Sequence, residues 1–177
     1  MQSAVNQGLK KKMTGHEMIR KLREEAFNTE TEKKLFSHPY LKAAQDGSLT
    51  LAQRQAFAQA QYFIQLSDAT SFATLAGHKN FLPKSLTGAT VPEAVLSPPE
   101  GAKVDLFQFL LGGEVFAAPM LLAYAKSVNL DEAALAGSLR SCSAKAQTYP
   151  SYWARLALSG QRAPGAAACA VNFPAWG

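Results

Sequence analysis

Two acidic residues stand alone in long apolar stretches and are the first candidates for chemistry. Asp68 lies in FAQAQYFIQLSDATSFATLA, residues 57–76, and Glu114 is the only charge between Asp105 and Lys126. A carboxyl group buried among apolar side chains has a raised pKa, because the medium disfavours its charged form. Two such acids near each other can exchange protons close to neutral pH, as general acid–base catalysis requires. We therefore predict Asp68 and Glu114 as the catalytic or ligand-orienting pair.

Polar side chains on the same predicted helix faces extend this candidate site. At about 100° per residue, Gln61, Asp68 and Ser71 fall within one band of the 57–76 helix. Tyr149 and Tyr152, three residues apart, also share a face, from which their hydroxyls can reach an acid across a bundle. Gln61, Ser71 and the two tyrosines are thus predicted to bind ligand. The alternative is structural, with the acids held by neighbouring groups and the tyrosines packed in the core.

The elements that must position these residues are predicted to be helices. Thr-x-x-Glu/Gln capping boxes, which mark helix starts, occur at Thr14–Glu17, Thr29–Glu32 and Thr50–Gln53. Periodic stretches predict helices over about 15–28, 30–45 and 51–79, then from Asp105 to about Val128, after Asn129, after Thr148 and from near Pro164. Residues 82–104 hold four of the nine prolines and form a connector, with a single helical turn at Pro92–Val95. Without strand alternation, the prediction is an all-α bundle with a single domain.

Composition limits the function further. The 177 residues are 47% hydrophobic with a net charge of +5, and basic residues near the N-terminus are mixed with glutamates, which does not favour nucleic-acid binding. Cys142 and Cys169 form no CxxC pair, and the three histidines show no ligand spacing with the core acids, so we predict no disulfide framework and no metal site. Without a run of about 18 apolar residues or an apolar leader, we predict no membrane partner and a cytoplasmic location.

The two ends of the chain differ from its middle. Residues 1–13 are predicted to be a flexible N-terminus, and 14–177 to be the helical domain. The final AAACAVNFPAWG stops within an apolar pattern, whereas a surface helix ordinarily ends with solvated residues. We therefore expect that a terminal helix is missing, so that the domain is incomplete at the C-terminus, or that a partner covers this end. A homo-oligomer that covers 163–177 is the corresponding prediction.

Four segments occur in order along the chain: FSHPYLKAAQDGSLT (36–50), QYFIQLSDATSFATLA (61–76), FLLGGEVFAAPMLLAYAKSVNL (109–130), and YPSYWARLALSG with AACAVNFPAWG (149–177). Together they resemble the TenA/THI-4/PqqC family, and its PqqC-like branch most closely. The resemblance covers about residues 30–177. It implies the haem-oxygenase-like all-α fold, with a central cavity lined by the helices that carry Asp68, Glu114, Tyr149 and Tyr152.

The resemblance implies less about activity, since several positions depart from the family pattern. Thiaminase members use a late cysteine and a glutamate on a final helix; here Asn172 stands at the cysteine position, Cys169 lies three residues earlier, and the final helix is absent. Members of the di-iron-like branch use core histidine and carboxylate ligands, where this chain has Tyr62 and Ala117–Ala118. Tyr62 and Asn172 are also counted among the predicted ligand-binding residues.

Three functions remain as hypotheses. The first is a pocket protein that binds or converts a small aromatic or heterocyclic metabolite, in vitamin or cofactor metabolism. The second is a non-catalytic binding or scaffold member of the family, and the third is a di-iron oxygenase-like enzyme. The residues favour the first, without naming a cofactor, a substrate or a turnover.

Overall fold

The described part of the chain is helical. The computed structural model describes residues 13–78, 81, 83, 85–86, 100–101, 103–139 and 142–173. Its helices are α1 (Gly15–Glu24), α2 (Ala26–Phe36), α3 (Pro39–Gln45), α4 (Leu51–Leu75), α5 (Leu106–Ser127), α6 (Glu132–Ser138), α7 (Ala144–Leu158) and α8 (Arg162–Asn172). No strand occurs among these residues, and the all-α prediction is confirmed. Residues 1–12 of the predicted flexible N-terminus and the predicted turn at Pro92–Val95 lie outside the described residues.

Two of the three predicted capping boxes start helices. At α1 the Thr14 hydroxyl accepts the Glu17 amide at 3.2 Å, and the Glu17 carboxylate accepts the Thr14 amide at 2.8 Å. Thr50 caps α4 in the same way. The third prediction was wrong: Thr29 lies inside α2, and its hydroxyl donates back to the carbonyl of Glu25 at 3.3 Å. The motif has no function there, because amides inside a helix are already paired.

Other helix boundaries also differ from the prediction, since the stretch predicted as one helix over about 15–28 is divided at Glu25 and α4 ends at Leu75. The helix predicted over 30–45 is interrupted before Pro39, since a residue that precedes proline is disfavoured in the helical region. His38 is instead the N-cap of α3, and Pro39 occupies its first turn. The helix predicted after Thr148 begins earlier, where Ser143 is the N-cap of α7. Pro150 lies inside α7 and is buried.

Helix α4 is the centre of the bundle and packs against both α5 and α7. Its C-terminal half shares one apolar cluster with α5, α7 and α8, where the Phe72 and Trp153 rings meet edge to face at 5.1 Å. Its N-terminal half shares a second cluster with the end of α5 and with α6, around Tyr62 and Leu135. Asp68 lies on α4 between Leu66 of the second cluster and residues of the first. The bundle thereby places this carboxyl group where its two cores adjoin.

The apolar end of the chain is largely covered from within. Residues 165–173 are buried or half-buried, and α8 packs against α1 and α7. Arg23 donates from Nε to the Ala170 carbonyl at 2.9 Å, and Arg162 bonds both the Leu75 carbonyl and the Asp105 carboxylate. Contacts within the chain thus cover part of the segment 163–177, and an oligomer contact there stays a prediction. Residues 174–177 lie outside the described residues.

Helix α5 is unusual in its exposure. By length and composition alone it could cross a membrane, with a mean hydropathy of 1.6 over an 18-residue window, of which 22% is buried. The sequence predicted no membrane-spanning helix, whereas α5 is long and apolar enough to be one by length and composition. One face of α5 nevertheless packs against α4 through Phe107, Leu111, Ala118 and Ala125. The helix is thus apolar on both its packed face and its outward face.

Candidate ligand-binding site

A cavity of about 460 Å³ lies between α4, α5 and α7. This volume is within the range of pockets that hold small organic ligands. Helix α4 contributes five lining residues, α5 five more, and the other two come from α7 and from the residue after α8. They are Phe57, Gln61, Ile64, Gln65 and Asp68; Glu114, Ala117, Met120, Leu121 and Tyr124; and Tyr149 and Phe173.

Helical spacing explains why these residues face one space. On α4, Phe57, Gln61, Ile64 and Asp68 recur every three or four residues and so fall on one side of the helix. On α5, Glu114 is followed at helical spacing by residues 117, 121 and 124. Because α4 and α5 pack side by side, the two stripes form opposite walls of the cavity.

Asp68 is the most deeply buried acid of the site. The residue is 2% exposed, and its Oδ1 atom has no hydrogen-bond partner among the described residues. The pKa of the carboxyl group is raised from 3.8 to about 8, chiefly by burial and also by the charge of Glu114, while a hydrogen bond from Tyr149 acts to lower it. Asp68 is therefore mostly protonated at neutral pH, with one oxygen left to accept a hydrogen bond from a ligand.

Glu114 faces the same cavity from α5 and is the second titratable group. Burial raises the pKa of its carboxyl group from 4.5 to about 7. Gln65 donates from Nε2 to the backbone carbonyl of Glu114 at 2.7 Å and so fixes the two walls to each other at this level. With pKa values near 8 and 7, the two acids can hold one proton between them in neutral solution. The site can therefore both donate and accept a proton.

Tyr149 connects Asp68 to the end of α8. Asn172 donates from Nδ2 to the Tyr149 hydroxyl at 3.3 Å, and Tyr149 in turn hydrogen-bonds to Asp68. Burial, followed by the negative charge of Asp68, raises the pKa of the phenol, which therefore stays protonated. Tyr149 thus positions the Asp68 carboxyl group without carrying a charge of its own.

Four of the predicted site residues line this cavity: Gln61, Asp68, Glu114 and Tyr149. Asn172, placed at the site by family resemblance, reaches it through the hydroxyl of Tyr149. This group joins residues from α4, α5, α7 and α8, which are separated by more than a hundred positions in the chain.

Three other predicted ligand-binding residues lie elsewhere. Tyr62 is fully buried in the second core cluster, and its hydroxyl donates to Glu132 at 3.1 Å, with a pKa raised to about 12, chiefly by burial. Ser71 is buried but does not line the cavity, and Tyr152 is 44% exposed. One residue of difference turns a helical side chain by about 100°, so Tyr62 points away although its neighbour Gln61 lines the cavity.

Several lining residues were not predicted from the sequence. Phe57 and Tyr124 meet edge to face at 5.7 Å and form an aromatic part of the wall. Phe57 lies on the stripe that carries Gln61 and Asp68, so helical spacing could have identified it. Phe173 had no comparable signal, because its position depends on how α8 packs.

Nucleophilic and metal chemistry have few candidate groups near the cavity. Cys169 is 5% exposed within the first core cluster, and burial raises the pKa of its thiol to about 11. A thiol held protonated in this way is a poor nucleophile. Among the described residues, no three His, Cys, Asp or Glu side chains lie together as a metal site would need.

Comparisons with protein-family models, with curated proteins and with solved structures found no match to this chain. The class of protein is therefore described from its own fold and site: it is an all-α protein with a cavity between its central helices that contains two acidic residues.

Proposed function

We propose that this chain is a TenA/PqqC-like helical protein that binds a small aromatic or heterocyclic molecule in the cavity between α4 and α5. The observation that carries the proposal is the Asp68 carboxyl group, buried and lining a ligand-sized cavity, with an oxygen that no described residue satisfies. Buried polar atoms in folded proteins nearly always have partners, so an unsatisfied one that lines a pocket points to a ligand. The four sequence segments that resemble the family support the same reading.

The lining indicates which ligand chemistry suits the cavity. Aromatic and aliphatic side chains form most of the wall, with Phe57 and Tyr124 available to contact a planar ring. None of the described lining residues is basic, so an anionic ligand would meet two carboxyl groups without a counter-charge. A ring that carries an N–H donor or a protonated nitrogen instead satisfies Asp68 and pairs with Glu114. We therefore propose a nitrogen-containing ring compound rather than an acid.

The same pair of acids supports proton transfer to the bound molecule. General acid–base catalysis is most effective when the pKa of the catalytic group is close to the working pH, and burial brings both acids there. In this proposal Glu114 takes a proton from the ligand or from water, while protonated Asp68 donates one. A placement in vitamin or cofactor metabolism and a cytoplasmic location remain part of the proposal.

The non-catalytic alternative has its own support. The only cysteine in the described part of α8, Cys169, is buried in the core and does not line the cavity, so covalent catalysis by a thiol has no candidate at this site. A binding protein that retained the cavity would show the same acids and the same ligand preference. Turnover of the bound molecule separates the two functions.

The test is binding of three matched ring probes, an aminopyridine, a phenol and benzoic acid, followed by isothermal calorimetry. We expect the aminopyridine to bind best and benzoic acid least. Glu114→Gln should weaken aminopyridine binding by about tenfold or more, the effect of losing one charge-assisted hydrogen bond, and Asp68→Leu should weaken it by about as much because it removes the accepting oxygen. Asp46→Asn, which removes an exposed carboxylate at the end of α3, is the control and should leave binding unchanged. Equal binding of all three probes, or unchanged binding in both cavity variants, would refute the proposal.

A further inference from the structure

The outward face of α5 is apolar along nearly the whole helix. Phe109, Phe116 and Met120 are 68%, 77% and 57% exposed, and Gly113 and Ala123 between and beyond them are exposed as well. These five residues, here called the α5 outer face, lie on the side opposite the residues that pack against α4. Core packing within the chain therefore does not explain their apolar character.

The spacing of this face matches a helix that pairs with another helix. The five positions follow intervals of four, three, four and three residues, which is the 3.5-residue repeat of paired helices. The three large side chains expose roughly 400 Å² together, near the size at which an apolar patch on a monomer marks an interaction site. No charged residue lies on the face itself; Asp105 and Lys126 stand at its two ends.

We propose that the α5 outer face is the contact between two copies of this chain, which pair antiparallel about a two-fold axis at Phe116. Antiparallel pairing brings Phe109 opposite the partner's Ala123 and Met120 opposite the partner's Gly113, with the two Phe116 rings in contact at the axis. Large side chains thus face small ones on both sides of the central Phe116 pair. A Cβ atom added at Gly113 would meet nothing within 4 Å, so this position has room for a partner side chain.

Charge at the ends of the helix favours the same orientation. Antiparallel pairing brings Lys126, in the last turn of α5, towards the N-terminal end of the partner helix and its Asp105, whose carboxylate also contacts Arg162 of its own chain. The opposed helix dipoles also attract in this arrangement, whereas in a parallel pair they repel. A parallel pair would in addition place Phe109 against its own copy and Gly113 against Gly113, which leaves one contact crowded and the other empty.

The area sets the strength of the contact. Stable dimers bury about 800 Å² per partner, and the α5 outer face supplies roughly half of that. The dimer is therefore concentration-dependent, with a dissociation constant in the micromolar range. This inference rests on the surface of α5 and not on the cavity acids; Met120 alone belongs both to this face and to the cavity lining.

Sedimentation equilibrium of the full chain, over roughly 1 to 200 µM, measures the dimer directly. We expect Phe116→Glu, and Phe109→Glu as a second variant, to raise the dissociation constant about tenfold or more. Phe27→Glu is the matched control, because Phe27 on α2 is 78% exposed, nearly the same as Phe116. It should leave the dissociation constant within about twofold. A dimer lost in the Phe27 variant and kept in both α5 variants would place the interface elsewhere and overturn the proposal.

Disulfide trapping tests the orientation. When chains carrying Gly113→Cys are mixed with chains carrying Met120→Cys and oxidised, the antiparallel contact predicts that the mixed disulfide between these positions predominates. Predominance of the two self-disulfides would indicate a parallel contact and overturn the antiparallel one.

Two further outcomes count against a second copy as the partner. A wild-type chain that stays monomeric over the whole concentration range overturns the proposal. If the monomer also floats with phosphatidylcholine vesicles and Phe116→Glu abolishes the flotation, the α5 outer face belongs to a lipid surface instead.

Discussion

Replacing Asp68 with asparagine should change how the stability of the protein depends on pH. Burial, with the charge of Glu114, raises the pKa of Asp68 from 3.8 to about 8 in the folded protein. Between these two values the unfolded chain has lost the proton that the folded protein keeps. Unfolding then releases a proton, and so becomes more favourable as the pH rises. The stability associated with Asp68 is thus greatest below about pH 4 and falls until about pH 8.

The size of this effect follows from the width of the pH window. The free energy of unfolding falls by about 1.4 kcal/mol for each pH unit, or about 5 to 6 kcal/mol over the whole window. Between pH 5 and pH 8 the fall is about 4 kcal/mol, and asparagine, which does not ionise, removes it. Discounting this value by about half for solvation of the ionised carboxylate, we expect the stability of Asp68→Asn relative to wild type to increase by at least about 2 kcal/mol between these pH values.

Urea unfolding followed by far-UV circular dichroism at several pH values measures this difference. The wild-type curve should fall more steeply with pH than that of Asp68→Asn, and the gap should open between pH 5 and pH 8. Asp46→Asn removes an exposed carboxylate and serves as the control, with a pH dependence like that of wild type. If the wild-type and Asp68→Asn curves stay parallel over this range, the carboxyl group is not held protonated and the reasoning about the site is wrong.

Three further predictions concern packing and hydrogen bonds, and each is measured by the free energy of unfolding in urea. Gly165→Val should destabilise the protein by about 1–3 kcal/mol, because a Cβ there already lies 3.1 Å from the Phe107 ring; an unchanged midpoint would show that the ring moves aside freely. Tyr62→Phe should cost about 1–2 kcal/mol by removing the hydroxyl bond to Glu132, and no loss would show that water replaces this bond. Thr50→Ala should cost about 1 kcal/mol through the lost cap of α4, and a larger loss would point to a further role for this side chain.

Local sequence signals predicted helix starts well where the motif acts on its own neighbours. The Thr14 and Thr50 boxes and the Asp105 cap form as predicted, because each side chain bonds amides within three residues of itself. The Thr29 box has the same letters and fails, since α2 starts upstream of it and its amides are already paired. Pattern alone did not reveal where that helix begins.

Side-chain direction was predictable for the site only where helical spacing specifies it. Asp68 and Gln61 were identified by their shared stripe, and both line the cavity. Among the tyrosines, spacing alone did not separate Tyr149, which lines the cavity, from Tyr152, which is partly exposed beside it on α7. That difference depends on the angle at which α7 packs against α4.

By itself, the sequence determined that this protein is helical and that two acids lie within apolar helices. These properties depend on residues a few positions apart, whose spacing and local hydrogen bonds can be read directly from the chain. Only the tertiary structure decided that Asp68 and Glu114 share one cavity, that Tyr62 turns away from it, and that the outer face of α5 stays exposed. The reason is physical: the distance between α4 and α5, the pKa values of their acids and the surface they leave uncovered all arise from packing between segments far apart in sequence.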